Sequence, residues 1–189
     1  MSISAPINME TFQNTIYDWF VDATDLFTIW QDQSAPRPEY PYGSLLITSG
    51  PRLASPQWEQ RYATISGQPA GEEVKITTCN LCYFDISCQA HVKRCDSRDP
   101  NANAIWYINK AQGALGLISV QTILRTADIA YIRSSEVQNI DELISDAYVS
   151  RANIDVTFGA VLSIDEYTGY IEKAHITSLP LGIDQEFGG

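Results

Sequence analysis

Positive charge is scarce in this chain: 12 lysines and arginines stand against 23 aspartates and glutamates, a formal net charge of −11. A sequence-independent grip on nucleic acid needs a stripe of Lys and Arg that displaces counterions, and adsorption to anionic lipid needs the same. Both are disfavoured. Histidine is scarcer still: only His91 and His175 are present. Each stands on the polar side of a predicted strand end, where a histidine is ordinarily a surface residue rather than a general base. No phosphate-cradling glycine loop of the Walker or dinucleotide type occurs, and no serine sits in a nucleophile elbow. Gly113-Ala114-Leu115-Gly116 falls inside a helical stretch and follows no strand, so it cannot hold a phosphate. Long apolar runs are also missing. Ala114 to Leu124 is interrupted by Gly116, Ser119, Gln121 and Thr122, and is too short to span a bilayer. Met1 to Asn8 lacks the basic start and apolar stretch of a secretory signal, which places the expected compartment in a reducing, cytosol-like setting.

What is present is enough for a core. With 189 residues, 44% of them hydrophobic and 19% charged, the chain is no disordered polymer. It reads as one domain over 1–189, with flexible ends at 1–7 and 182–189. The acidity is uneven. From Asp128 onward eleven acidic residues face only Arg133, Arg151 and Lys173, a net −8. Such asymmetry marks a solvated or interaction-facing surface.

Cys79, Cys82, Cys88 and Cys95 fall close together, and Cys79-Asn-Leu-Cys82 has the spacing of half a zinc knuckle. The surrounding residues alternate instead. Val74, Ile76, Thr78, Asn80, Cys82, Phe84, Ile86, Cys88, Ala90 and Val92 form a mostly apolar set, opposed by Lys75, Thr77, Cys79, Tyr83, Asp85, Ser87, Gln89 and His91. That is a long half-buried strand from about Glu72 to Val92, on which Cys79 and Cys82 point to opposite faces. Cys82 and Cys88 are expected in the core, reduced, and no metal is expected.

Elsewhere, Asn8 to Asp22 reads as a helix, with Asn8 as N-cap and a stripe of Phe12, Ile16, Trp19, Phe20 and Ala23. Leu26 to Trp30 is a short strand. Residues 31–41 carry three prolines and form a stiff, extended loop. Tyr42 to Ser49 is a strand closed by Gly50-Pro51, and Ser55 to Gly71 is a poorly specified hairpin or loop. Asp99-Pro100 starts a second helix whose stripe is Ala104, Ile105, Ile108, Ala111, Leu115, Ile118 and Leu124, with Gly113 and Gly116 weakening it as a single rod. Ile129 to Ile132 is a short strand, followed by an acidic connection. Arg151 to Ser163 alternates as a long strand; Asp165 to Gly169 turns, and Tyr170 to Thr177 returns. The fold class is α+β: a mostly antiparallel sheet with two main helices packed on one face, and room for a projecting β-hairpin.

The carboxylates Asp141, Glu142, Asp146, Asp155, Asp165 and Glu166 match no metal-loop or acid–base spacing, and a solvated acidic face accounts for them. No constellation identifies an enzyme and no cofactor is expected. Aromatics in the loops, Trp30, Tyr40, Tyr42, Trp58 and Tyr62, suit either a protein interface or plain core burial.

The segment Ile29 to Tyr42, with its Pro36-Arg37-Pro38-Glu39-Tyr40-Pro41 centre, leads through a strand into Ser49-Gly50-Pro51. Together with the helix after Asp99-Pro100, the Ser150-Arg151-Ala152 strand opening and the closing Tyr170 to Ala174, it resembles the neck or tail terminator proteins of tailed bacteriophages. The resemblance spans Asn8 to Thr177; the cysteine cluster and Ser55–Gly71 are not part of it. It implies a non-enzymatic virion protein, assembled in the host cytoplasm. Such a protein caps the finished tail tube as a ring, usually of six subunits, and joins it to the neck or head-completion connector, with the sheath as a further neighbour. DNA would pass through the hole without tight binding. On this reading Arg37, Tyr40, Tyr42, Trp58 and Arg151 are subunit-interface candidates. Asp141, Glu142, Asp146, Asp165 and Glu166 are candidates for a phosphate-repelling lumen or rim. The competing readings are a non-ring assembly factor or other head-completion protein, and an enzyme built on the acidic face.

Overall fold

In a computed structural model, the described residues are 8–32, 36–54, 59–67, 74–93, 103–144, 147–168, 174–178 and 183–187. They form α1 (Met9–Thr24), β1 (Phe27–Trp30), β2 (Tyr42–Leu53), β3 (Glu59–Thr64), β4 (Val74–Lys93), α2 (Ala104–Ala114), α3 (Ile118–Thr126) and β5 (Ile129–Ser134). There follow β6 (Gln138–Asn139), β7 (Glu142–Ile144), β8 (Ala147–Thr168), β9 (Ala174–Ser178) and β10 (Ile183–Phe187). Eight of the strands make a mixed, mostly antiparallel sheet, so the α+β expectation holds. The chain gathers into two compact units, one from 6–57 and 80–162, the other including 58–79 and 163–189.

The larger unit begins with α1. Asn8 Oδ1 accepts the Thr11 amide at 3.0 Å, closing the N-terminus, and Asp25 ends the helix in the left-handed region at φ 59°. Phe12, Ile16, Trp19 and Phe20, at spacings of three and four, are buried. They face the apolar side of the sheet: the Phe12 ring lies 4.6 Å from Phe84 on β4, and Trp19 lies 5.7 Å from Phe158 on β8. Each fully buried side chain of this size contributes about 1.5–3 kcal/mol. The alternation read for the long strands is observed on β8 and on β4 from Asn80 onward, whereas residues 74–79 of β4, expected to alternate too, are half-buried throughout. Cys82, Phe84, Ile86, Cys88 and Ala90 on β4 are fully buried, as are Ala152, Ile154, Val156 and Phe158 on β8. The two cysteines are free thiols, and burial raises the pKa of both. Strand order is β1-β2-β4-β8-β5, with β1 parallel to β2 and β6 and β7 paired to β8.

Several boundaries differ from the sequence expectation. β2 runs on through Gly50-Pro51 to Leu53, because its register against β4 shifts between Ser49 and Arg52 and the proline is not asked to donate in a regular ladder. The second helix is two helices: Leu115 and Gly116 form a turn, Leu117 stands extended, and α3 begins at Ile118. The change of axis takes Ile118 out of the stripe, and it is 84% exposed. Asn103, whose side chain accepts the Ile105 amide at 3.0 Å, caps α2; Asp99-Pro100 lies outside the described residues. The acidic connection after β5 holds the short strands β6 and β7.

In the smaller unit, β3 pairs antiparallel with residues 74–79 of β4, and β9 pairs antiparallel with β10. Asp165 does not open a turn. β8 continues to Thr168, and the Asp165 carboxylate takes a hydrogen bond from Thr77 at 2.7 Å and an ion pair from Lys75 at 2.8 Å. The return strand pairs with β10, formed by residues 183–187 of the segment read as a flexible tail. Tyr170 to Lys173 and residues 1–7 lie outside the described residues.

Candidate functional site

Of the residues singled out from the sequence, Arg37, Tyr40, Tyr42 and Arg151 fall in one polar and aromatic cluster of the larger unit, built on the adjacent strands β2, β4 and β8. Tyr42 opens β2 opposite His91 of β4. Its ring stacks on the imidazole with centroids 4.4 Å apart and planes 9° from parallel. The phenol oxygen accepts a 2.8 Å hydrogen bond from Arg37 Nε, and the Arg37 guanidinium lies over the Tyr40 ring, 5.1 Å from its centroid. Tyr40 in turn packs 5.4 Å from Tyr42. The proline-flanked loop is thus pinned at its second half: Arg37 and Glu39 are exposed, Tyr40 is half-buried, and Tyr42 beneath them is buried.

His91 is the main correction at the site. It is 5% exposed, not a surface residue. Tyr42 covers its ring, and its Nε2 lies 3.0 Å from Ser44 Oγ, which also accepts from Gln31 at 2.9 Å. Burial, with the positive charges of Arg151 and Arg37 acting in the same direction, lowers its pKa from 6.5 to about 4. The Ser44–His91 distance is that of a nucleophile and its base. The chemistry is not: Ser44 is buried, the imidazole is too weak a base, and His91 Nδ1 has no partner among the described residues to orient it. His175 lies in β9, where only the backbone is described.

Arg151 carries the acidic side of the cluster. It makes an ion pair with Glu142, donates from Nη2 to Gln89 at 3.1 Å, and gives its backbone amide to Asp141 at 2.9 Å. Two acids read as part of a solvated acidic face, Asp141 and Glu142, are therefore tied to the interface candidate Arg151. Asp165 belongs to the smaller unit and is ion-paired there, while Glu166 beside it is exposed. Trp58 and Asp146 lie outside the described residues. Trp30, grouped with the loop aromatics, is a core residue, whereas Tyr62 on β3 is exposed.

A second concavity, about 410 Å³, is lined by Thr48, Asp85, Arg133, Ser134, Ser135, Asp155 and Thr157. Of its two acids, Asp85 is already met by Arg52 at 2.6 Å and Thr157 at 2.8 Å. Among the described residues no three of His, Cys, Asp and Glu gather as a metal site, and no helix is long and apolar enough to cross a membrane.

The arrangement is a cation on an aromatic shelf next to a cation–carboxylate pair, braced by a buried ring. A family model, that of the phage neck terminator protein, matches residues 10–183. The chain therefore belongs to the phage neck terminator protein family and is a structural protein of the virion neck, a class that is not enzymatic. No curated protein matches it.

Proposed function

We propose that the protein works as a closed ring of identical subunits, six in number. The ring ends the tail tube and joins it to the head-completion connector while leaving a channel for DNA. The observation that carries this reading is the Arg37–Tyr40–Tyr42 clamp. It presents a cation and an aromatic ring at the surface, held by a buried residue, in a molecule whose excess of carboxylate supplies complementary partners on a neighbouring copy. Proline on both sides of Arg37 lowers the entropy cost of ordering at a contact. Tail tube protein, connector and sheath are the neighbours such a ring would meet.

Since β4 and β8 each contribute residues to both compact units, we treat 1–189 as one functional domain. Strand β3, exposed along its length and paired among the described residues only to β4, suits addition to a neighbouring subunit's sheet. The lumen is assigned to the acidic set Asp141, Glu142, Asp146, Asp165 and Glu166. Repulsion of phosphate lets DNA slide without sticking.

Native mass measurement is expected to give a single ring, and Arg37→Glu with Tyr40→Ala is expected to reduce it to smaller species in size-exclusion chromatography. Unchanged ring formation in the double variant would discard the clamp, and a wild-type monomer inside intact particles would favour the non-ring assembly factor. Cryo-electron microscopy of the particle checks the lumen: these acids on the outer wall would refute their placement.

A further inference from the structure

Helices α1 and α3 leave a groove of about 250 Å³ in the larger unit, away from the residues of the clamp. Its floor and one wall are apolar: Trp19, Ala23, Val120 and Leu124, with Leu117 and Ile123 over half exposed at 55% and 54%. The other wall carries Asp18 and Asp22, one turn apart on α1. Neither makes an ion pair among the described residues. The Trp19 indole N–H is buried and lacks an acceptor among them. Burying a donor without a partner is costly, and such groups are uncommon in finished structures. Ile118, between the lining residues Leu117 and Ser119 in sequence, is the most exposed large apolar side chain among the described residues.

We infer that this groove docks a basic amphipathic helix of a different protein, its apolar side chains seated between α1 and α3 and its Lys or Arg residues paired with Asp18 and Asp22. Two helices flanking an apolar trough favour a third helix as occupant, anchored at positions one turn apart. The acidic rim selects the sign of charge. A second copy of this chain is less suited to the role: among the described residues Arg52, Arg61, Lys75 and Arg151 are in ion pairs, and Arg37 and Lys110 lie over aromatic rings. Although Lys93, Arg125 and Arg133 remain, none of α1, α2 and α3 carries two cations one turn apart. The docking does not rest on the clamp, since no residue of the clamp lines the groove.

The test uses the full chain and a synthetic Leu/Lys amphipathic peptide of about four helical turns, titrated by calorimetry at near-physiological salt. Asp18→Lys with Asp22→Lys is expected to weaken binding about tenfold, and Leu117→Ser with Ile123→Ser similarly, while the charge-matched Asp32→Lys with Glu136→Lys leaves it within about twofold. The altered residues are surface positions, and circular dichroism confirms that each variant is folded. Equal loss in the charge-matched control would overturn the inference by reducing it to general attraction. Equally tight binding of a Leu/Glu peptide would overturn it too, as would a fall in wild-type oligomeric mass on Leu117→Ser with Ile123→Ser, which would make a second copy the occupant.

Discussion

Among the described residues the larger unit has a buried apolar core and the smaller one does not. In the first, α1, β4 and β8 enclose a continuous apolar cluster that includes Phe12, Phe20, Phe84 and Phe158. In the second, no described side chain is buried: β3 is exposed throughout and residues 74–79 of β4 are half-buried. Its described contacts include backbone ladders and polar pairs: Lys75 and Thr77 with Asp165, and Arg61 with Glu59 at 2.9 Å. Exposed ion pairs add little stability because solvent screens them.

This contrast can be tested by the size of effects in each unit. Phe20→Ala in the larger unit is expected to cost about 3–5 kcal/mol in chemical denaturation, since the ring is fully buried against Trp19. A loss below about 1 kcal/mol would mean that the unit is not held by burial.

The next effect comes from pH. His91 in the folded chain titrates at about 4, below the 6.5 of a free imidazole. The unfolded chain therefore takes up a proton where the folded chain does not. The contribution of this group to stability is fully present above pH 6.5 and is lost as pH falls towards 4, by about 3 kcal/mol in all. Denaturation midpoints measured across that window should decline steeply in the wild type and less in His91→Gln.

The smallest effect belongs to the smaller unit. The hydrogen bond to Asp165 raises the Lys75 pKa against the weaker opposing effect of desolvation. Lys75→Met should nevertheless leave the global midpoint unmoved and only speed amide exchange in residues 74–79. A global shift comparable to that of Phe20→Ala would erase the distinction between the units.

How much of this was legible in advance depended on how local the cause was. The Asn8 cap, the stripe of α1 and the alternation of β4 and β8 are patterns within single segments, and they were readable. The burial of His91 was not. Its own strand places it on the polar face, and it is enclosed only because Tyr42 and Ser44 arrive opposite it from β2. The same limit applies to Asp165, which reads as a turn residue until Lys75 and Thr77 are seen beside it, separated by some ninety positions in sequence. The break between α2 and α3 was half legible: Gly113 and Gly116 marked a weak rod, but not where it would bend.

Composition and periodicity by themselves determined an acidic α+β protein with two long strands, core thiols and an aromatic, proline-flanked loop, because each follows from residue type and spacing along one segment. Only tertiary structure decided that Arg37, Tyr42, His91 and Arg151 share one cluster, and that two of the acids are tied to it. Ion pairs and stacked rings depend on strand register. Register depends on how distant segments pair, which no local pattern contains.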